Sequence, residues 1–466
     1  MILGKRVIIN DILHSANSFE TIARWIGASN VIRNQKIVEF VEKDFNGIGQ
    51  AYAFIKKELE FLKEVPSEIL RNSASSVYSD ANAFSQGLCK KPKIKSRFRK
   101  RSAIITQELF SKEPIEKDKT KIIVYSANRK NREVLFYVVV NLPCECIKNQ
   151  LILSRERDKI TLSFSYDDGK EQLSNDTLLR DLSYLSEDEL NKVTLGMDAG
   201  VVENAYLSNG RAIAFSIEQR DSLKKLTLKI KKKQRYLEKQ RKRNNKNLWI
   251  KAKKKGLKSR KAIKKYIKEN NNSNQQKKTK QQIAKQHRKT KHIRTNFNHH
   301  LSKEIVKLTP KLFIYESLYL KNMTKKAKPK LSEDGKTYLR NNKRQKSGLN
   351  KAILNVALGQ LKTFTLYKLN KVGKAHYPTP PPYTSQRCSD CKSLNTNRVK
   401  QSLLICLDCG KKHQADHNAS LNIKYNGIQE LLTQPLSVKT KKKRVIRKKI
   451  NKSDESEALP TLKQIE

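Results

Sequence analysis

Four cysteines fall in two pairs, "CSDC" from Cys388 to Cys391 and "CLDC" from Cys406 to Cys409, with fourteen residues between the pairs. Each C-x2-C places two thiolates on one side of a tight turn, and two such turns can close a tetrahedron around one zinc ion. Four protein ligands leave no open coordination position, so the expected role is structural. Disulfide exchange is the competing use, and it needs only one pair. Three acidic residues form a second constellation. Asp198 closes an apolar run in "TLGMDAG", Glu316 closes "LFIYE", and Asp416 opens "ADHNASLNIK", seven residues after Cys409. Each has an ordinary alternative, since Asp beside Gly is a common turn and Asp at a helix start a common cap. Together, three carboxylates could hold two magnesium ions about 4 Å apart, and such a pair hydrolyses phosphodiesters by activating water at one ion and stabilising the departing 3′ oxygen at the other.

Elements with matching spacing are present to position these groups. "VTLGMDAGVVENAYLSNGRAIAFSI" predicts three successive strands with a turn at Asn209 and Gly210, and "PKLFIYESLYLKNM" a buried strand ending at Glu316. "GLNKAILNVALGQLKTFTLYKLNKVG" has the period of one amphipathic helix closed by Gly373, and residues 324–347 read as a loop. Upstream, apolar residues at three and four spacing between Ser18 and Arg71 predict helices. "KIIVYS", "VLFYVVVNL" and "KITLSFSY" predict strands, as do residues 6–10. That order fits a β domain with a helical insertion.

Charge narrows the partners. The 466-residue chain has 99 Lys and Arg against 44 Asp and Glu, a net charge of +55. Residues 1–190 hold 31 basic and 26 acidic residues, leaving 68 against 18 for the remainder. The many Lys and Asn residues also point to compositional bias, which does not explain that asymmetry. Residues 221–294 carry 30 Lys or Arg against three acidic residues, with apolar residues at helical spacing. A solvated helical face is one reading; thirty like charges repel unless a polyanion lies alongside, which favours nucleic acid. No window approaches the roughly 20 apolar residues of a membrane span, and the opening segment lacks the apolar region of an export signal. The unpaired Cys89, Cys144 and Cys146 with the paired set read as reduced cytosol plus a metal site. Beyond Leu436 the tail is basic, then polar, and reads as disordered; "KKKRVIRKK" is better explained as a nonspecific nucleic-acid tail than as an import signal.

"GMDAG", "IYESLYLKNM", "GLNKAILNVALGQLKTFTLYKL", "YTSQRCSDC…CLDCG" and "ADHNAS", in this order, resemble the RuvC nuclease and zinc region of TnpB proteins and the related compact type V (subtype F-like) CRISPR effectors. "WIGASNVIRNQKI" is similar to the helical segment near the start of those proteins. The resemblance implies a multidomain α+β and α/β chain. Residues 1–190 would be a wedge-like β barrel with an inserted helical recognition domain, helices about 15–110. Residues 191–383 would be the first part of an RNase H-like RuvC domain with basic helices 221–294, residues 384–410 a zinc-ribbon-like target nucleic-acid insertion, residues 411–430 the last part of RuvC, and residues 431–466 the tail. Asp198, Glu316 and Asp416 would be the catalytic, magnesium-binding carboxylates, with two Mg2+, and Cys388, Cys391, Cys406 and Cys409 would hold one structural Zn2+.

The activity implied is RNA-guided cleavage of DNA, in which base pairing reads most of the sequence. The partners would be a guide RNA, transposon-end or CRISPR-derived, and target DNA, in the nucleoid-associated cytoplasm of a prokaryote. Tyr383, Gln386 and Arg387 beside the zinc loop, and Arg288 and Arg294 in the basic helices, are candidates for nucleic-acid contact. His287, His292, His299 and His300 read as a polar face rather than a catalytic set. Two departures from the family pattern are Ser317, where Asp usually follows the second carboxylate, and Lys392, where Gly is common after the first cysteine knuckle. Two other functions remain: a nuclease-inactive RNA-guided DNA-binding repressor, and a zinc-containing DNA-binding protein without guide RNA.

Overall fold

The computed structural model describes residues 2–9, 16–43, 52–95, 101–127, 132–156, 159–167, 169, 171, 173–257, 259–271, 273–333, 335, 337–339 and 341–433. From 434 onward, the tail therefore lies outside the described residues. Those up to Glu171 form one unit and those from 173 to 433 a second. No helix among the described residues is long and apolar enough to cross a membrane.

Alternation of buried and exposed residues builds the strands of the first unit. Strand β1 (Ile2–Ile8) is followed by helices α1 (Ala16–Lys43), α2 (Ala53–Glu58) and α3 (Ser67–Ser85). Six strands come next: β2 (Arg101–Thr106), β3 (Phe110–Glu116), β4 (Lys119–Tyr125), β5 (Val134–Val140), β6 (Ile147–Glu156) and β7 (Lys159–Asp167). They form two antiparallel sheets, ordered β1-β7-β6-β2 and β3-β4-β5. In β5, Phe136, Val138 and Val140 turn inward while Tyr137 and Val139 stay exposed. One core joins both sheets to the helices: Ile22, Trp25 and Ile26 of α1 and Ile69 and Ala74 of α3 cluster with Phe136, Leu153 and Leu162. The helical insertion stops at Ser85, short of the expected 110. "RSAIIT" instead alternates Ala103 and Ile105 inward, and β6 pairs with it as a strand.

In the second unit, α4 (Asn175–Leu182) and α5 (Glu187–Val193) lead into β8 (Thr194–Asp198), β9 (Ala205–Leu207) and β10 (Ala212–Ile213). Three basic helices follow, α6 (Ile217–Lys254), α7 (Arg260–Asn270) and α8 (Asn274–Leu308), then β11 (Leu312–Glu316), α9 (Leu320–Met323), β12 (Lys330–Leu331) and β13 (Tyr338–Leu339). The remainder comprises α10 (Lys343–Val356), α11 (Leu358–Lys371), β14 (Ala375–Thr379), β15 (Thr396–Lys400), β16 (Leu403–Cys406), β17 (Lys412–Gln414) and α12 (Ala415–Thr433). Five strands form one sheet in the order β10-β9-β8-β11-β14; β8, β9 and β10 pair antiparallel, whereas β11 runs parallel to both β8 and β14.

Helices cover both faces of that sheet. On one, Met197, Phe313 and Tyr315 pack with Phe297, Leu301 and Ile305 of α8 and Leu361 and Leu369 of α11. On the other, Leu312 and Ile314 pack with Ile423, Ile428 and Leu431 of α12 and with Leu179, Leu182 and Leu190. Because α4 and α5 contribute those leucines, this unit begins near 172, not at 191. The expected single helix from Gly348 to Gly373 is two: Ala357, at φ 57° in the left-handed region, separates α10 from α11. The expected loop over 324–347 contains the β12–β13 pair and the start of α10. A Ser216–Gln219 capping box opens α6, whose 38 residues span about 57 Å at 1.5 Å per residue.

One buried acid ties α3 to β2 in the first unit. Glu68 is fully buried, and its Oε1 accepts from the backbone N–H and the hydroxyl of Thr106. Its Oε2 is buried with no hydrogen-bond partner. Burial raises the carboxyl pKa above its ordinary value, against the pull of the Thr106 hydrogen bonds. The native state therefore holds this proton more tightly than the unfolded chain, so stability falls as pH climbs from the ordinary Glu range through the raised value. Glu68→Gln is expected to raise the unfolding midpoint at pH 7, with the gain shrinking as pH falls from the raised value toward about 4.5, the unfolded Glu value, and vanishing below it; thermal melts of both proteins across pH measure it.

Candidate active site and metal centre

Strand register sets the first two carboxylates side by side. Tyr315 of β11 lies opposite Met197 of β8, so the next residues, Glu316 and Asp198, are level at the ends of adjacent parallel strands. Such strands lie about 4.8 Å apart. Side chains two residues apart share a face, so Asp198 goes with Gly196 and Glu316 with Ile314. That face is covered by α12. A Cβ on Gly196 would lie 2.6 Å from the Ser420 carbonyl oxygen, and one on Gly427 would lie 2.5 Å from Ile314 Cγ2. Asp416, Ser420, Lys424 and Gly427 recur at helical spacing along one side of α12, which brings Asp416, in its first turn, to the carboxylate end of the sheet.

The three acids share one electrostatic space. Burial first, then the charges of Glu316 and Asp416, push the Asp198 carboxyl up to about 7. Burial also raises Glu316, opposed by a hydrogen bond donated by the Thr384 hydroxyl. Among the described residues, one cation faces the group: Arg398, on β15, brings a guanidinium nitrogen to 3.6 Å from Asp416 Oδ1 while donating to the Gln401 carbonyl at 3.0 Å. Three acidic groups against one guanidinium leave uncompensated negative charge, and hard oxygen donors suit a divalent ion such as magnesium. Among the described residues, the one His/Cys/Asp/Glu group that closes tightly on a single ion-sized space is elsewhere, at the four cysteines.

Those thiols lie within 4.8 Å of one another, with Cys388 and Cys409 sulfurs 3.8 Å apart and Cys391 and Cys406 sulfurs 3.4 Å apart. A tetrahedron with Zn–S bonds of about 2.3 Å has edges of about 3.8 Å. An all-sulfur set fits zinc and excludes magnesium or calcium. His413 Nε2 sits 3.3 Å from the Cys388 sulfur, at hydrogen-bonding distance from one ligand. The two knuckles repeat each other: the residue after each second cysteine, Lys392 at φ 62° and Gly410 at φ 69°, is left-handed. Lys392 thus keeps the turn without glycine, a backbone cost of roughly 1–2 kcal/mol. Its ammonium donates to the Ser389 carbonyl at 2.5 Å and lies 4.1 Å from the Tyr425 ring centroid.

Zinc loop and acids meet on α12. Asn418 Nδ2 donates to the Arg387 carbonyl at 2.7 Å, and its Oδ1 accepts from the Ser389 N–H at 2.7 Å. One turn on, Asn422 Nδ2 donates to the carbonyls of Arg387 at 2.7 Å and Thr384 at 3.0 Å. The positioning roles of Thr384, Arg398 and Asn422 were not apparent from sequence; only "PYTSQRC" and the i, i+4 asparagines offered a signal.

The proposed nucleic-acid residues scatter. Tyr383, at φ 64°, and Gln386 are exposed. Arg387 donates to Asn426 Oδ1 at 3.3 Å, Arg294 donates to Asn355 Oδ1 at 2.6 Å, and Arg288 is half-buried on α8. His287, His292, His299 and His300 are all exposed, and His299 stacks on Phe364 at 3.9 Å between ring centroids. Ser317 donates its backbone N–H to the Thr379 carbonyl at 2.9 Å, extending the β11–β14 ladder.

Residues 359–423 match the family model described as Cas12f1-like, TNB domain. The chain is 30% identical over 230 residues to InsQ of Escherichia coli (strain K12), whose name describes an RNA-guided DNA endonuclease; the match covers 49% of this chain and 48% of InsQ. It is 35% identical over 72 residues to the CRISPR-associated endodeoxyribonuclease Cas12f1 of Sulfoacidibacillus thermotolerans, covering 15% of this chain and 17% of that protein. The chain thus spans about half the length of InsQ and a smaller part of Cas12f1. A solved Cas12f1–sgRNA–target DNA complex superposes with a TM-score of 0.46 at 15% identity, over 87% of this chain and 82% of that one.

Two outcomes are expected of this geometry. Gly196→Ala forces α12 off the sheet and should lower stability by about 1–3 kcal/mol, the usual cost of overpacking, as measured by denaturant unfolding. Cys406→Ser should drop the zinc content, measured by elemental analysis, from about one ion per chain to well below one, the expectation for a four-ligand structural site.

Proposed function

We propose that this chain, a relative of the TnpB proteins and compact type V effectors, is an RNA-guided DNA endonuclease with a two-magnesium active site at Asp198, Glu316 and Asp416. The observation that carries the reading is the level placement of Asp198 and Glu316 under the first turn of α12. Bound there, magnesium would supply an activated water and charge neutralisation at the leaving 3′ oxygen. Asp198, the acid on which both neighbours act, would be a magnesium ligand together with Glu316 and Asp416. Thr384 orients Glu316 through its hydroxyl. Arg398 reaches the site from the zinc insertion and would pair with a phosphate oxygen of the scissile strand once the ions take over Asp416.

The order β10-β9-β8-β11-β14 supports an RNase H-like identity for this sheet. Helices α6, α7 and α8 carry the basic run and would cradle RNA and the guide–target heteroduplex, with salt-sensitive affinity. The first unit, two antiparallel sheets with helices inserted after β1, would be the wedge that reads guide RNA and a short motif beside the target, in a prokaryotic cytoplasm. The cysteine cluster would be a structural zinc site clasping the target-strand insertion. The complete set of three acids weighs against a nuclease-inactive repressor. A zinc-containing DNA-binding protein without RNA would co-purify with no discrete RNA.

Asp198→Ala should abolish magnesium-dependent DNA cleavage, a loss of at least about 10³-fold for a metal-binding acid, and leave guide-RNA affinity within a few-fold. Cleavage by that variant at the wild-type rate would remove the assignment.

A further inference from the structure

A histidine stands at the cysteine cluster without belonging to it. His413 Nε2 lies 3.3 Å from the Cys388 sulfur, yet His413 is not one of the residues whose ligand atoms close within 4.8 Å of one another. In a tetrahedral site with Zn–S bonds of about 2.3 Å and a Zn–N bond of about 2.0 Å, nitrogen and sulfur ligands stand about 3.5 Å apart. The imidazole nitrogen is therefore at ligand-to-ligand distance from Cys388, while the four sulfurs already complete the tetrahedron.

Strand register puts the ring there. His413, on β17, pairs with Leu404 of β16, and residues two apart on a strand share a face, so His413 takes the face of Leu404 and Cys406. Its spacing is also that of a ligand. Three residues separate it from Cys409 in "CLDCGKKH", an interval found between paired zinc ligands, and a Cys3His set is a structural zinc site in its own right. The other buried corner differs: Cys406 is as fully buried as Cys388, but its sulfur contacts Cys391 rather than His413.

Cys388 and His413 also fasten the cluster to one helix. Asn418 of α12 brackets Cys388, accepting from the Ser389 N–H and donating to the Arg387 carbonyl. His413 precedes Ala415, the first residue of α12, by two positions. Exchanging one ligand for the other would leave the ion attached to the helix that carries Asp416.

We infer that His413 is a reserve zinc ligand. With Cys388 in place, its Nε2–H donates to the thiolate. When that sulfur is lost, Nε2 takes the vacant corner as a neutral imidazole with its proton on Nδ1, giving a site of Cys391, Cys406, Cys409 and His413. The inference rests on reading the cluster as a structural zinc site, to which it adds a ligand.

The test makes the same substitution at two equally buried corners of the full-length protein. Cys388→Ser should keep about one zinc per chain by elemental analysis, whereas Cys406→Ser should fall well below one. Cys388→Ala repeats the first measurement without a hydroxyl, which separates retention by a serine oxygen from retention by His413. Adding His413→Ala to either Cys388 variant should bring the zinc content down to the Cys406→Ser level, with zinc affinity in a chelator competition at least about tenfold weaker than in the single variant. Cobalt loading reads the donor set directly: replacing a thiolate by an imidazole weakens the sulfur-to-cobalt charge-transfer band and moves the ligand-field bands to higher energy. Cys388→Ala should show that spectrum, and the double variant should not. Zinc loss from both Cys388 variants to the Cys406→Ser level overturns the reserve ligand, as does retention that survives His413→Ala. Wild type without zinc would remove the zinc reading itself, whereas wild type with one zinc and either failure removes only the role of His413.

Discussion

At Gly196 the backbone of α12 comes so near the sheet that a methyl group would overlap the Ser420 carbonyl. Most of the site's geometry follows from this approach. Had Gly196 carried a side chain, α12 would stand off by the thickness of that group, and Asp416, one turn before Ser420, would move away from Asp198 and Glu316. Gly427 makes the same allowance for Ile314 further along the helix. Strand register sets two acids level, and a helix lying flat against those strands delivers the third.

The same closeness makes the cluster of acids electrostatically unfavourable. Asp198 is buried beside two other acids, and its proton affinity rises accordingly. Arg398 is the compensating charge, and it belongs to the cysteine-bearing hairpin rather than to the sheet. The cysteine cluster therefore acts on the acids through the position of β15, although its sulfurs leave no coordination position for substrate. A cation bound there would stabilise such buried, imperfectly compensated charge.

How much was readable from sequence depended on the range of the interactions involved. The strands ending in Asp198 and Glu316, the cysteine knuckles and the helix opening at Asp416 all follow from local spacing, and each stands where that spacing placed it. Arg398 and Thr384 gave no such signal. Their partners, Asp416 and Glu316, are distant in sequence, and only the fold of β15 and the turn at Tyr383 brings them together. The break at Ala357 was hidden for a different reason. Apolar periodicity continues through it, and no glycine or proline marks the left-handed residue. The strand at residues 101–106 was absorbed into the neighbouring helices because it is short and follows directly on a basic run.

The two asparagines of α12 also bear on how this part of the chain can vary. They hold the segment entering the zinc loop, at Thr384 and Arg387, while the segment leaving it runs directly into the first residue of the same helix. Entry and exit are thus fastened at one place, and the loop between them hangs from the five-stranded sheet like a closed bight. A segment tied in this way can lengthen, shorten or change its surface without shifting the elements on either side. The exception is Arg398, whose reach to Asp416 sets a limit on how far the hairpin can drift.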